Sequence, residues 1–376
     1  MRRRIAFASA GFAGLTAGVV AGMRIYQAAG ASRSRIRPYA AGSPHFRDGR
    51  FHNLEPATPF TRKQVPDLLA AAILRGNSGG PSAAVPMAVP LAPVEASELA
   101  VTWLGHATAI VEIDGCRILT DPVWSDRVSP SKELGPKRMH PVPIKIAELP
   151  TLDAVLISHD HYDHLDERTV KALNASQSVR FIVPLGVGSH LRSWGVPDRV
   201  ITELDWGDST DMLTVGGKTR HVSVTCTPAR HFSGRGFRRN TTLWASFVIA
   251  GERRRVFFGG DTGFTASFES IAADYGPFDV TLLPIGAYSD QWPDVHMNPE
   301  EAVQAHCLLT SGAGTSVLVP IHWGTFNLGF HSWSEPIVRL RAASVERGVQ
   351  YVVPMPGQRV DALKALPREA WWVRCG

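Results

Sequence analysis

The stretch that most restricts what this chain can fold into is Leu156-Ile157-Ser158-His159-Asp160-His161-Tyr162-Asp163-His164, where an apolar run ends in three His and two Asp within six residues. The apolar residues read as a buried strand. Strand-like alternation would aim His159 and His161 the same way, while the turn that follows can send Asp163 and His164 towards a second, nearby point. Imidazole and carboxylate suit Zn²⁺ and similar divalent ions, so two such points describe a two-metal site. An ordinary polar loop ahead of a helix, with Asp166 near its cap, has no need of this density of ligands.

Four ligands from one loop do not complete two ions, so other strand ends must supply the rest. Thr227-Pro228-Ala229-Arg230-His231, Phe258-Gly259-Gly260-Asp261-Thr262-Gly263 and Val319-Pro320-Ile321-His322-Trp323-Gly324 each follow a run with strand character. A single His after a strand is commonly an ordinary polar residue, but the number and placement of these match what the loop requires. From about Glu98 onward the chain consists of short β-branched runs punctuated by Gly, Pro and Asp. Strands are expected at Val101–His106, Ala109–Ile113, Arg117–Thr120, Ala154–Ser158, Arg180–Val183, Val200–Leu204, Val222–Thr225, Leu243–Ile249, Arg255–Phe258, Val280–Pro284, Ser316–Pro320 and Gln350–Val353. Helices are expected at Asp166–Asn174, Ser267–Asp274, Pro299–Leu309 and Glu335–Arg347. Many strands with fewer helices suggest sheets packed on each other and covered by helices.

Charge separates the ends of the chain. The net charge is +5, but the first 37 residues hold seven Arg and no acid, so the remainder carries −2. A nucleic-acid partner is therefore not expected, because its cations would lie on the folded body. Cys116, Cys226, Cys307 and Cys375 are scattered without a Cys-x-x-Cys pair, which indicates neither a disulfide framework nor a Cys-rich zinc site. Ile5–Met23 is uncharged and follows Arg2-Arg3-Arg4, a length close to the ~20 residues that cross a bilayer. Residues 1–30 are thus expected to be a membrane anchor, with Ala10, Gly14, Gly18 and Gly22 spaced for helix packing, or an export signal cleaved near Ala28-Ala29-Gly30-Ala31. A cytosolic extension is the third reading. Residues 31–97, rich in Pro, Ala and Gly, read as a linker and wrapping segment with one helical candidate at Pro66–Arg75, and 98–376 as the main domain.

Taken together, these motifs resemble the metallo-β-lactamase superfamily. The resemblance implies an α/β fold, a four-layer αββα sandwich, with the metals at one edge of the paired sheets. It implies that His159, His161 and His231 bind one ion, Asp163, His164 and His322 the other, and that Asp261 bridges both. Asp121 would orient ligands from behind, and His106, in Trp103-Leu104-Gly105-His106-Ala107, would be structural or support the ligands. The narrower motifs Thr120-Asp121-Pro122-Val123-Trp124-Ser125, Leu134-Gly135-Pro136-Lys137-Arg138, Pro284-Ile285-Gly286-Ala287-Tyr288, His296-Met297-Asn298-Pro299-Glu300-Glu301-Ala302 and Ile321-His322-Trp323-Gly324-Thr325-Phe326 resemble the N-acylphosphatidylethanolamine-hydrolysing phospholipases D. The likeness spans about residues 100–357, with an earlier trace at His45–Asn53. Asp160 departs from it, standing where the animal enzymes carry Asn, and Arg235–Asn240 does not align clearly.

That branch implies two Zn²⁺, or other divalent metals, and hydrolysis of a phospholipid at a membrane surface. Water activated by the ions would attack phosphorus, giving phosphatidic acid and an N-acylethanolamine. Asp261 and Asp163 would then be catalytic as well as ligands. His296 would bind substrate or protonate the leaving group, unless it is a capping or surface residue. Tyr288, Trp323 and Phe326 either line an acyl channel or belong to the core. The alternatives are a metal-dependent lactonase or other hydrolase of a small soluble ester or phosphodiester, and a scaffold that keeps metals for stability. Oligomeric state is left open.

Overall fold

The computed structural model describes residues 24–376 apart from 57, 59–65, 67–75, 91–92, 94, 213–220, 237 and 313. Most of residues 1–30 and of the Pro66–Arg75 helix expectation lie outside them.

The wrapping segment holds helix α1 (Arg33–Ala40) and a hairpin of β1 (Phe46–Arg47) and β2 (Arg50–Phe51). The main domain then contributes β3 (Leu99–Gly105), β4 (Thr108–Ile113), β5 (Cys116–Thr120), β6 (Ala154–Leu156), α2 (Glu167–Ser176), β7 (Arg180–Pro184), α3 (Gly188–Ser193), β8 (Ile201–Leu204), β9 (Ser209–Met212) and β10 (Val222–Thr227). After these come β11 (Ser246–Ala250), β12 (Arg255–Phe258), α4 (Ser267–Tyr275), β13 (Val280–Pro284), α5 (Pro299–Leu309), β14 (Val317–Ile321), α6 (Glu335–Arg347) and β15 (Arg359–Asp361). One sheet has the order β15-β3-β4-β5-β6-β7-β8, the other β14-β13-β12-β11-β10-β9. Pairing is antiparallel from β15 to β5 and parallel from β5 to β8. In the second sheet β12, β13 and β14 run parallel and the rest antiparallel.

Period-two alternation divides the first sheet between two cores. Val111, Ile118, Leu156 and Ile182 face the second sheet, whereas Ile110, Leu119, Val155, Phe181 and Val183 pack under Val170 and Leu173 of α2 and Leu191 of α3. Phe268 of α4, Val303 of α5 and Ile337 and Leu340 of α6 belong to the large core that includes the second sheet. The result is the expected four-layer αββα sandwich. Because β5, β6, β12 and β14 share parallel neighbours, their C-terminal ends collect at one edge, where the polar motifs emerge.

Several boundaries differ from the sequence reading. Leu243–Ala245 precede the strand, with Leu243 N–H donating to Leu185 O and Ala245 N–H to Ser158 O. Gln350–Val353 makes only a bridge between Tyr351 and Leu318. Strands β9 and β15 and helix α1 were not expected; α1 carries Pro38, a residue that argues against a helix from sequence.

Candidate metal centre

The loop after β6 behaves as its sequence suggests. His159 Nε2, His161 Nδ1 and His231 Nε2 converge: His161 Nδ1 lies 2.8 Å from His159 Nε2 and 3.3 Å from His231 Nε2. A second group gathers Asp163, His164, His322 and His106. Asp163 Oδ2 is 3.5 Å from His164 Nε2, 3.4 Å from His322 Nε2 and 3.0 Å from His106 Nε2. Asp261 stands between the groups, its Oδ2 lying 3.1 Å from both His164 and His322 Nε2, 3.9 Å from His159 Nε2 and 3.7 Å from His231 Nε2. All seven residues named as ligands from sequence are therefore brought together.

The supporting contacts fix which ring nitrogen faces the cluster. Asp121, fully buried at the end of β5, accepts from Ser158 N–H, Ser158 Oγ–H and His164 Nδ1, each at 2.6 Å. Ser158 Oγ in turn lies 2.9 Å from His159 Nδ1. Val295 O accepts from His231 Nδ1 at 2.8 Å. Each of these imidazoles thus spends Nδ1 on a partner behind it and turns Nε2 inward, the arrangement that metal-ligating His adopts. Asn53, in the wrapping segment, donates to His231 O and accepts from His231 N–H, so the early trace at His45–Asn53 reaches the centre. His106 supports from the other side: its carbonyl accepts from His322 N–H and Trp103 Nε1–H, and its ring contacts Asp163.

The backbone is bent to bring these groups in. His106, Asp121 and His322 have φ of +54°, +34° and +59°, a region non-glycine residues seldom occupy and one associated with sites held by their surroundings. Gly260 is required for a related reason: at φ +57° a Cβ there would come within 2.5 Å of Ser158 Cβ.

Electrostatically the cluster is suited to a cation. Burial opposes ionisation of Asp163 and Asp261, but His164 and other imidazoles outweigh it and hold both well below the usual carboxylate range. Burial likewise opposes protonation of His322, yet Asp261 and Asp163 carry it up to about 9. His159 and His231 are pushed well below the imidazole range, chiefly by burial, and stay neutral. Asp261 Oδ1, His164 Nε2 and His322 Nε2 are buried without a hydrogen bond despite their close neighbours. Buried polar atoms otherwise find partners, and His164 Nε2 and His322 Nε2 both approach Asp261 Oδ2 at 3.1 Å, as ligands of a common ion would. Ligands ~2.0–2.1 Å from a tetrahedral zinc lie about 3.3 Å apart, close to the spacings within the two groups. The residues present fit two divalent ions.

The residues expected near substrate divide. His296 Nδ1 is 3.9 Å from Asp261 Oδ2, and its ring lies 5.1 Å from those of His231 and His322. It immediately precedes α5, whose Asn298 and Glu301 form a capping box with Pro299 in the first turn, a rigid start that fixes the residues before it. Beside it opens a polar cavity of about 330 Å³, walled in part by Tyr288, whose hydroxyl donates to Glu335 Oε1 at 2.7 Å. Phe326 packs against the His106 ring at 5.2 Å, in an apolar cluster with Val123 and Val128. Trp323 goes elsewhere: it is 2% exposed, stacks on Trp103 and packs at a tilt against Trp371, so of the two readings of this residue the core is the one found.

Sequence reasoning gave no role to Ser158 or to Arg235. Ser158 was legible in principle as a hydroxyl between strand and ligand. Arg235 lies in the stretch that resisted alignment, and its partners are main-chain carbonyls that leave no sequence signal.

Residues 116–323 match a family model described as the beta-lactamase superfamily domain. An uncharacterized protein of Mycobacterium tuberculosis is 52% identical over 378 residues, covering 99% of this chain and 100% of that protein. The N-acyl-phosphatidylethanolamine-hydrolyzing phospholipase D 1 of Caenorhabditis elegans is 42% identical over 241 residues, covering 62% of this chain and 66% of that enzyme. Among solved structures, a metallo hydrolase from Ignicoccus hospitalis superposes with a TM-score of 0.51 at 24% identity, over 70% of this chain and 97% of that one, a likeness of fold.

Proposed function

Because the chain belongs to the metallo-β-lactamase superfamily of metal-dependent hydrolases, we propose that it hydrolyses N-acylphosphatidylethanolamine-like phospholipids to phosphatidic acid and an N-acylethanolamine. The observation that carries the lipid reading is the likeness to the nematode phospholipase D, 42% identical over 241 residues. In this reading His159, His161 and His231 hold one zinc ion, Asp163, His164 and His322 the other, and Asp261 touches both. Such a pair, when bound, activates water near neutral pH and neutralises charge on phosphate oxygens. Asp121 and Ser158 keep His164 and His159 turned inward, and His106 holds Asp163. His296 offers a ring N–H to the head-group side of the substrate; burial pushes it down to about 4, so it is neutral at pH 7 and suits binding better than delivery of a proton. Val123, Val128 and Phe326 are buried against one another, so no acyl-chain contact is assigned to them. Residues 1–30 would bring the enzyme to its substrate as an anchor, or direct its export. Among the described residues no helix is long and apolar enough to cross a membrane.

A second reading, a small soluble ester or phosphodiester as substrate, is favoured by one feature: the cavity beside His296 is lined by Asp290, Glu301, Glu335 and Arg339, a polar wall unlike an acyl channel. Hydrolysis in ¹⁸O-water of N-acylphosphatidylethanolamine in vesicles, alongside a soluble phosphodiester and a lactone, separates the two. The lipid reading expects label in phosphatidic acid and none in the released alcohol. Label in a fatty acid, or turnover of the soluble compounds alone, would overturn it.

A further inference from the structure

The loop that carries His159 to His164 is closed from behind by one buried cation. The Arg235 guanidinium, 8% exposed, donates from Nη1 to Asp160 O and to Leu165 O, both at 2.7 Å. These two carbonyls bracket His161, Tyr162, Asp163 and His164. The guanidinium also lies over the Tyr162 ring at 4.0 Å, while the Tyr162 hydroxyl donates back to Arg235 O at 2.9 Å. The neighbouring Gly234 N–H donates to Asp160 Oδ1 at 2.6 Å, and Thr242 Oγ–H to Asp160 Oδ2 at 2.9 Å. Loop and clamp are thus joined by both main chain and side chain, and Asp160, the departure from the animal pattern, is part of the joint.

The remaining donors of Arg235 point away from the loop. Nε and Nη2 both donate to Ala28 O, at 3.1 and 2.7 Å. Around that carbonyl the chain is pinned twice more: Trp194 Nε1–H donates to Gln27 O at 2.8 Å, and Ala31 N–H to His190 Nδ1 at 2.9 Å. His190 Nε2 lies 3.3 Å from Asp160 Oδ2, which returns the path to the metal loop. Gly30 is what permits the approach, since at φ +78° a Cβ there would come within 2.2 Å of His190 Nδ1. Fixed polar partners behind metal ligands are typically worth 10- to 100-fold in metal affinity. A planar guanidinium that reaches three carbonyls at once is a rigid form of such a partner.

We infer that Arg235 is a positioning residue of the metal loop and that residues 27–31 complete it, so that the segment leading in from the N-terminus is a working part of the metal centre. Cleavage within Ala28–Ala31 would remove the acceptor at Ala28 and loosen the loop. This rests on the proposed reading of that loop as the metal-binding one.

The test uses full-length protein loaded with Co²⁺ or Zn²⁺. Arg235→Gln keeps a polar side chain but cannot span the carbonyls; Gly30→Val disturbs the docked segment without touching Arg235 or a ligand. Both variants are expected to release metal to a competing chelator with an affinity about 10- to 100-fold weaker, and to shift the visible absorption of the Co²⁺ form. The double variant should be no worse than the poorer single one, and Arg235→Lys should recover part of the loss. A residue that merely stabilised the fold would lower the melting temperature and leave the cobalt spectrum of the folded protein unchanged, which would overturn the inference. An unaltered chelator titration in Gly30→Val would overturn the role of residues 27–31, and that variant decides the matter should Arg235→Gln not fold. Wild-type protein that takes up no metal would instead overturn the reading of the loop itself.

Discussion

Asp261 Oδ2 stands 3.1 Å from His322 Nε2, although the two residues leave strands β12 and β14 with β13 lying between them. Neighbouring strands are ~4.8 Å apart, so this contact needs both chains to turn inward. The Gly259-Gly260 turn and the positive φ of His322 provide that. The same carboxylate oxygen is equally close to His164 and lies within 4 Å of His159 and His231, so it meets both groups of imidazoles. Asp261→Asn, which keeps the shape and removes the charge, should therefore lower bound metal from about two ions per chain and cut turnover by about a hundredfold or more. Elemental analysis of protein purified without chelator checks the stoichiometry. Two tightly held ions in the variant would show that Asp261 is not shared.

Asp121 makes no approach to the shared space yet governs His164 directly and His159 through Ser158. It takes the Nδ1 proton of His164 and both donors of Ser158. In Asp121→Asn one of these acceptors becomes an amide N–H facing a donor, and His164 is free to turn. Metal affinity is expected to fall ~10–100-fold with the far-ultraviolet circular dichroism unchanged. An affinity within twofold of wild type would mean that packing alone orients His164.

The clustering of these His and Asp was legible in the sequence because its signals were local: His159, His161, Asp163 and His164 share one loop, and His231, Asp261 and His322 each follow an apolar run with strand character. The sandwich was legible for the same reason, through short β-branched runs such as Ala109–Ile113 and Arg180–Val183 punctuated by turn residues. What escaped was carried by main-chain geometry or by distance along the chain. Arg235 finds its partners in carbonyls of residues 28, 160 and 165. Trp323 was ambiguous because an aromatic beside a ligand fits a substrate wall as readily as a core, and only its packing against Trp103 and Trp371 decides between them. The strand expected at Gln350–Val353 has the right residues, but pairs with β14 only around Leu318.

His296 lies beside the polar cavity, and its buried Nδ1 makes no hydrogen bond. Replacement by Ala should lower kcat/KM by ~10–150-fold, the range for one hydrogen bond to a charged group, while metal content stays at its wild-type value. Should His296→Ala lose metal, the residue belongs with His231 and Asp261 as a ligand, a grouping its position also allows.

Away from the metal centre, His306 of α5 gives a pH dependence whose sign can be worked out. It is 2% exposed, with its Nδ1 2.8 Å from Thr281 Oγ1 on β13, and burial pushes it down to about 4. In the unfolded chain the same group titrates near 6.5. Between those values the unfolded state binds a proton that the folded state does not, so stability rises with pH. The contribution is fully present above about pH 6.5, is lost as the pH falls towards 4, and changes no further below that. Its full size is about 3 kcal/mol. His306→Gln, which keeps a polar contact to Thr281 but does not titrate, should have a smaller fall in unfolding free energy between pH 7 and 4.5 than wild type, by about 2 to 3 kcal/mol in denaturant titrations of metal-free protein. Carboxylates titrating in this range are common to both proteins and cancel in the difference. Parallel pH profiles for the two would mean that His306 accepts a proton in the fold as easily as in water, and that its burial against Thr281 is not what the geometry of α5 and β13 requires.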